Sequence, residues 1–141
     1  MAKIRADRKN YKNAFQKHVH SYHNWEKGSD ISRRLLLCYC VECGLKCLVM
    51  QNNNIHQISQ ANAEVEKVLG SHDFRMLLKA VNKAGIYRLK NFQTEYGETV
   101  TAENFHQLCR YCIDAKDREM LPVNEFEEVL KDIAEWLKEE I

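Results

Sequence analysis

The spacing of apolar residues and the scarcity of helix breakers constrain this chain most. Of its 141 residues, one is proline, Pro122, and five are glycine. Outside the breaks, apolar positions recur every three or four residues, which is the spacing of one face of an α-helix. Hydrophobic residues make up 45% of the chain, which is enough to form a core. We therefore predict an all-α fold, a five- to six-helix up-and-down bundle in a single domain over residues 1–141.

Two long helices are predicted in the first third of the chain. The first spans about residues 3–26, and the second spans about 30–51, with Asp30 or Ser32 as its N-cap. The second helix is apolar around most of its circumference, so we expect it to be the central, buried helix. The first helix carries a seam of residues that alternate at steps of four and three: Tyr11, Phe15, His18, Tyr22 and Trp25.

The rest of the chain predicts shorter helices and one loop. Gly70 ends a short helix that begins near Ile58, and Ser71 caps the next helix, which ends at Gly85. The polar stretch 93–100 is expected to be a loop. A helix from Thr101 presents Phe105, Leu108, Cys109, Cys112 and Ile113, and the last helix has Pro122 in its first turn.

No segment is predicted to cross a membrane. The longest uncharged apolar run, Leu35–Val41, ends at Glu42, well short of the roughly 20 residues that a membrane-spanning helix needs. The basic N-terminal residues lack an apolar stretch of the kind found in secretory signals. We therefore expect a cytoplasmic protein whose six cysteines are reduced.

The cysteines include two CxxC pairs, Cys40–Cys43 and Cys109–Cys112. Two such pairs are compatible with a four-thiolate zinc site, which is the alternative that we keep open. Structural zinc pairs usually lie at chain turns, whereas these pairs lie inside predicted apolar stripes. Buried cysteine behaves as a small hydrophobe, so we favour the interpretation that all six fill space in the core. No metal or cofactor is predicted.

Three histidines lie on the first predicted helix. His20 and His23 have a spacing that would allow two imidazoles to reach one metal ion, with Glu26 as the nearby carboxylate. His18 belongs to the apolar seam. We favour a partly buried His18 and exposed, metal-free His20 and His23.

Charge is distributed unevenly along the chain. Residues 1–27 carry a net charge of +5 and residues 117–141 a net charge of −6, within an overall charge of +1. Such asymmetry suits either an anionic partner or a charge match between helices. A basic row also extends along the predicted fourth helix and would either bind a phosphate backbone or form a solvated face. Its members are Arg75, Lys79 and Lys83, continued by Arg88 and Lys90. Glycine-rich phosphate loops and Gly-x-Ser-x-Gly elbows do not occur in the sequence.

Three segments together resemble the longer type of HEPN (higher eukaryotes and prokaryotes nucleotide-binding) domain, over about Tyr11–Leu137. They are SRRLLLCYCVECGLKCLVM at 32–50, SHDFRMLLK at 71–79, and Arg110-Tyr111 ahead of a final amphipathic helix with Trp136. The family shows Ala-x-Glu-x-x-x-Lys in its second helix, where this chain has Glu42 and Lys46, with Cys40 and Cys47 in place of small residues.

Two further dipeptides match family pairs. His72-Asp73 matches a His-Asp pair at the start of a long helix, and Arg110-Tyr111 matches an Arg-Tyr pair that is usually followed by Pro-Asp. Here Cys112-Ile113-Asp114 follows instead. Spacing alone also explains Glu42 and Lys46, because a glutamate one turn before a lysine stabilises a helix. Specifying the bundle is as good an explanation of this pair as binding a ligand.

HEPN domains act either as metal-independent ribonucleases or as non-catalytic partners of nucleotidyltransferases. The ribonuclease members carry an arginine followed five to seven places later by a histidine, and no arginine of this chain has that neighbour. The resemblance therefore favours a non-catalytic module that binds nucleotide or RNA, as a homodimer or with a partner such as a nucleotidyltransferase. Together with the basic row, it gives these ligand-binding candidates: Glu42, Lys46, His72, Asp73, Arg75, Lys79, Arg110 and Tyr111. The alternative is a divergent ribonuclease whose nearest catalytic candidates are His72, His106 and Arg110.

Overall fold

The computed structural model describes residues 4–116 and 120–141 of the chain. Within these ranges the fold is mostly helical, and the predicted all-α bundle is confirmed. The α-helices are α1 (Arg8–His23), α2 (Asp30–Asn52), α3 (Ala63–Leu69), α4 (Phe74–Ala80), α5 (Phe105–Arg110) and α6 (Leu121–Glu140). A 3-10 turn, Ile58–Gln60, precedes α3, and two short strands, β1 (Phe92–Gln93) and β2 (Thr99–Val100), lie between α4 and α5.

Helix α2 is the centre of the bundle, as predicted. Helices α1, α3, α4, α5 and α6 all pack against it, and its side chains from Leu37 to Met50 are mostly buried. Gly44 allows the closest approach, because a Cβ atom there would lie 2.7 Å from Leu137 and 2.8 Å from Phe15. The glycine therefore lets α1 and α6 lie directly against the α2 backbone.

The membrane prediction rests on the same helix. By length and composition alone, Asp30–Asn52 would suffice to cross a bilayer, but 61% of its apolar window is buried inside the protein. The charged residues that interrupt the window, Glu42 and Lys46, form a pair with each other. This burial is the property expected of the core helix of a globular bundle.

The ends of the first two helices differ from the prediction. Helix α1 begins at Arg8 after the N-cap Asp7 and ends at His23, so Trp25 lies beyond it. Part of the predicted start, residue 3, lies outside the described residues. The N-cap of α2 is Ser29, whose Oγ accepts a hydrogen bond from the Ser32 backbone N–H at 3.0 Å. These helix ends differ from the predicted ones by a few residues, because several neighbouring residues can serve as a cap.

The fourth helix is shorter than predicted, and this shortens the basic row. Asp73, not Ser71, is the N-cap of α4, and the helix ends at Ala80. Asn82 then adopts a φ of 60°, in the left-handed region, which ends a right-handed α-helix. Lys83 is therefore not on the same helix as Arg75, and its ammonium lies 5.5 Å from the Trp136 ring centroid.

The expected loop at 93–100 is a small β-hairpin. Its strands pair antiparallel, with Phe92 opposite Val100, and Gly97 supplies the turn with a φ of 81°. The following helix begins at Phe105, with Asn104 as its N-cap. Thr101 lies in the turn before it, where its backbone N–H donates to Asn104 Oδ1 at 2.7 Å. The predictions of a loop here and of a helix start at Thr101 are therefore wrong.

A buried polar network joins the start of α2 to α1 and α6. Arg34 Nε donates to Glu127 Oε2 at 3.0 Å, and the Tyr22 hydroxyl donates to Glu127 Oε1 at 3.1 Å. Arg33 lies above the Tyr22 ring, with 4.3 Å between its guanidinium carbon and the ring centroid. All three long helices thus meet at a single carboxylate.

Candidate functional site

Glu42 lies at the middle of α2 and bonds to residues from two parts of the chain. Its Oε2 lies 3.4 Å from Lys46 Nζ, one helical turn later, and its Oε1 lies 2.9 Å from His72 Nδ1. The lysine side chain is 6% exposed, the glutamate 19% and the histidine 64%. These three side chains therefore extend from the interior of the bundle to its surface.

The turn before α4 holds His72 in this position. Ser71 Oγ accepts a hydrogen bond from the Asp73 backbone N–H at 3.0 Å, and Asp73 Oδ1 accepts one from the Arg75 backbone N–H at 2.9 Å. Because the Asp73 carboxylate caps the helix, it is a positioning group for His72. Its sequence match to the family's His-Asp pair has this local structural explanation.

Helix α5 brings a second histidine and an arginine beside the first. The ring centroids of His72 and His106 are 5.8 Å apart, and Arg110 follows His106 by one helical turn. Arg110 Nη2 donates to the Tyr39 hydroxyl on α2 at 3.3 Å. We call the group formed by Tyr39, Glu42, Lys46, His72, His106 and Arg110 the Glu42 cluster.

The imidazole of His106 has a pKa below its usual value. Partial burial is the main cause, because it disfavours the charged ring, and the positive charge of Arg110 adds to the effect. His72 acts in the same direction, and Glu42 partly opposes it. His106 is therefore neutral near pH 7 and has a lone pair available to accept a proton.

The Glu42 carboxylate fixes the tautomer of His72. A carboxylate only accepts hydrogen bonds when ionised, so the 2.9 Å contact requires His72 Nδ1 to carry a hydrogen. In the neutral ring, Nε2 then carries the lone pair. Two imidazoles thus lie close to the permanent positive charge of Arg110. This combination suits proton transfer to and from a ligand that carries a phosphate group.

The structure brings together some of the sequence candidates and separates others. Glu42, Lys46, His72, His106 and Arg110 belong to the Glu42 cluster, and Tyr111 lies next to it in the chain with 62% of its surface exposed. Arg75 instead donates to the Leu89 carbonyl at 2.9 Å, and Lys79 is exposed on α4.

Comparison of the chain with protein-family models, with curated proteins and with solved structures finds no match. The functional inference therefore depends on the geometry of the Glu42 cluster and on the resemblance of its residues to the HEPN pattern.

Tyr39 is the cluster residue that sequence reasoning missed. It precedes Glu42 by three residues on α2, so both side chains share one helical face. That spacing is the signal that was available. Its contact with Arg110 spans 71 residues of sequence and comes only from the packing of α5 on α2.

Cysteine burial supports the space-filling interpretation at four positions and contradicts it at one. Cys38, Cys40, Cys47 and Cys109 are buried, and Cys43 is partly buried. Burial raises the pKa of Cys40 to about 12 and that of Cys43 to about 11, which keeps both thiols protonated.

The interpretation of Cys112 as core filler is wrong. Helix α5 ends at Arg110, and Cys112 follows in an exposed turn with a φ of 54°. The predicted CxxC pair thus has one thiol inside the bundle and one in solvent. Among the residues described, no group of three or more histidine, cysteine or acidic side chains is arranged to hold a metal ion.

The histidines of α1 lie as predicted. His18 is partly buried, which lowers its pKa, whereas His20 and His23 are exposed. His23 Nε2 lies 3.3 Å from Glu135 Oε1 and 3.0 Å from Lys138 Nζ on α6. It therefore takes part in a surface contact between α1 and α6.

Proposed function

We propose that this protein is a HEPN-like helical module that binds RNA or a nucleotide through the Glu42 cluster. It works in the cytoplasm, either as a homodimer or with a protein partner such as a nucleotidyltransferase. The single observation that carries the proposal is the His72–Glu42 hydrogen bond. It joins the two segments that most resemble the HEPN pattern, although 30 residues of sequence separate them.

The charge balance of the site supports an anionic ligand. Lys46 neutralises Glu42 beneath the surface, so the charge that faces solvent comes from the exposed Arg110. Arginine is well suited to phosphate because its planar guanidinium donates two parallel hydrogen bonds. Tyr111, which is exposed beside it, offers a ring on which a base can stack.

The open position of these residues favours a strand over a small enclosed ligand. His72, Arg110 and Tyr111 are all exposed. Sequence-specific and sequence-tolerant RNA-binding sites alike use cations along the backbone and aromatic rings under the bases. Single-stranded RNA is therefore the ligand that the site suits best.

The paired imidazoles favour a second candidate function, metal-independent RNA cleavage. In such a reaction one imidazole removes the proton of a ribose 2′-hydroxyl, whose oxygen attacks the adjacent phosphorus. The other imidazole gives a proton to the departing 5′-oxygen, leaving a 2′,3′-cyclic phosphate. His106, held neutral, suits the first role, and Arg110 would stabilise the charge of the phosphorane.

One experiment separates the two candidates. Purified protein is titrated with fluorescently labelled single-stranded and double-stranded RNA in EDTA, and the RNA is then analysed on a denaturing gel. We expect saturable binding of single strands that weakens at least fivefold in His72→Ala and Arg110→Ala. His20→Ala, which removes an exposed histidine of α1, is the matched control and should bind normally.

The gel decides between binding and cleavage. Intact RNA with retained binding favours the non-catalytic module, and EDTA-resistant products that vanish in both variants favour the ribonuclease. Partial recovery in Arg110→Lys would show that charge at this position matters. Equal behaviour of His72→Ala and His20→Ala would contradict both candidates.

The partner proposal is tested separately. Light scattering over a hundredfold concentration range should show a dimer if the partner is a second copy. A monomer at every concentration would leave only a different protein as the partner.

A further inference from the structure

A groove of about 560 Å³ lies between the start of α1, the end of α2 and the segment that follows α2. This volume lies within the usual range for small-molecule sites. Its lining includes Arg8, Lys9, Lys12, Cys47, Gln51 and His56. None of these residues belongs to the Glu42 cluster.

The groove has an excess of positive charge. Of the salt bridges within the described part of the chain, none involves Arg8, Lys9 or Lys12. The one acidic residue of the lining, Asp7, already accepts a hydrogen bond from the Ile58 backbone N–H at 2.8 Å. Three cations therefore line the groove, and the one carboxylate among its lining residues is already hydrogen-bonded.

Arg8 and His56 form an unusual pair within it. Arg8 Nη2 lies 2.6 Å from His56 Nδ1. A guanidinium only donates hydrogen bonds, and the same Nη2 also lies 3.2 Å from His56 Nε2, so it contacts both nitrogens of the ring. An anion is a stronger hydrogen-bond partner for a guanidinium than an imidazole is, so an anionic ligand in the groove would compete with His56 for Arg8.

The walls are fixed by backbone hydrogen bonds. The Arg8 backbone N–H donates to the His56 carbonyl at 3.1 Å, which ties the start of α1 to the segment after α2. Gln60 Oε1 accepts from the backbone N–H groups of His56 and Gln57, at 2.8 and 2.9 Å. The backbone on the two sides of the groove is thus held together, which lowers the entropic cost of binding.

Cys47 reports the electrostatic field of the groove. Burial raises the pKa of its thiol, and the charges of Arg8 and Lys12 oppose that increase. The field of both cations therefore reaches the α2 side of the groove.

We propose that this groove is a second site, which binds the phosphoryl group of a small anion, either inorganic phosphate or a mononucleotide. Arg8 and Lys12 supply the charge, and the amide of Gln57 supplies a further donor. Cys47 follows Glu42 by five residues, so the two sites face directions about 140° apart around the α2 axis. The groove is therefore distinct from the surface assigned to RNA.

The test is isothermal titration calorimetry with three probes: inorganic phosphate, adenosine monophosphate and adenosine. We expect both phosphates to bind with a Kd of about 1 mM or tighter, and adenosine not to bind. Arg8→Gln and Lys12→Gln should each weaken phosphate binding at least fivefold. Lys17→Gln, on the same helix but outside the groove lining, is the matched control.

The outcomes identify the source of the phosphoryl group and expose a failure. Tighter binding of adenosine monophosphate than of phosphate assigns the site to nucleotides, and equal binding assigns it to free phosphate. Absence of saturable binding by both phosphates, or equal losses in Lys17→Gln and Arg8→Gln, overturns the proposal. Because His72→Ala should leave phosphate binding unchanged, this result is independent of the function proposed for the Glu42 cluster.

Discussion

Helix α2 carries two ion pairs that look alike but end differently. In each, a cation that is almost fully covered faces a carboxylate of similar exposure: Arg34 and Glu127 are 8% and 20% exposed, and Lys46 and Glu42 are 6% and 19%. The third partner differs. Glu127 accepts a hydrogen bond from the hydroxyl group of the buried Tyr22, whereas Glu42 contacts the exposed ring of His72.

This difference separates a structural role from a chemical one. The first network closes on itself between α1, α2 and α6, so its polar groups satisfy one another inside the bundle. The second continues to the surface, where His106 and Arg110 join it. A ligand can reach the second network without disturbing the core.

The largest expected effect comes from opening the closed network. In Glu127→Gln, Arg34 is left covered and without its counter-charge, which should lower the free energy of unfolding by about 3–5 kcal/mol. Urea denaturation followed by circular dichroism measures this. The protein that remains folded should bind RNA as before.

A neighbouring glutamate provides the control for that substitution. Glu128 is exposed, and its salt bridge among the described residues is with Lys131, three residues later. Glu128→Gln should therefore change the free energy of unfolding by less than about 0.5 kcal/mol. Equal losses in the two variants would mean that the Arg34 network does not stabilise the bundle.

The open network should cost less to break. Glu42→Gln should lower the free energy of unfolding by about 1–3 kcal/mol, because its other contact, with the exposed His72, is open to solvent, whereas Glu127 also bonds to the buried Tyr22. Differential scanning calorimetry is suitable for this comparison, with the exposed Glu64→Gln of α3 as control. A loss larger than that of Glu127→Gln would reverse the assignment of roles.

Acidification should have a smaller effect. The pKa values of His18 and His106 are lowered in the folded protein, chiefly by burial. Below the ordinary histidine pKa of 6.5, the unfolded chain therefore binds more protons at these sites than the folded one. The contribution of these two histidines to the free energy of unfolding is therefore fully present above pH 6.5. It is lost as the pH falls from that value to the lower pKa of the folded state.

Urea titrations at a series of pH values test this linkage. The slope of unfolding free energy against pH should flatten in His18→Gln and in His106→Gln between pH 6.5 and 5. The exposed His20→Gln should leave the slope unchanged. A slope that is identical in all three variants would contradict the role of burial.

The smallest effect on stability is expected for His72→Ala. Because the ring is 64% exposed, its removal should change the free energy of unfolding by less than about 0.5 kcal/mol. The same variant should lose RNA binding. A large loss of stability with normal RNA binding would mean that His72, like Glu127, has a structural role.

Periodicity predicted the framework of this fold because apolar spacing is a strong local signal. It placed α2 at the centre and Pro122 in the first turn of α6, and the four-residue spacing of Glu42 and Lys46 predicted their pair. The hairpin was missed because strands of two residues show no periodicity. The choice of Asp73 over Ser71 as cap depends on local geometry that both side chains can satisfy.

Apart from Tyr39, the residues of the Glu42 cluster were candidates from the sequence, but their arrangement was not predicted. His72 and His106 come from segments far apart in the chain, and their proximity results from α4 and α5 both packing on α2. Arg75 and Lys79 matched the pattern equally well. Tertiary packing turns one of them toward the Leu89 carbonyl, and no local rule predicts this.

The turn after α5 offers a practical handle. Of the six cysteines, Cys112 is the one whose side chain is exposed, and it lies two residues beyond Arg110. A maleimide dye added to the native protein should attach there first and leave the interior sulfurs untouched. Its fluorescence would then follow events at Arg110 without any engineered label.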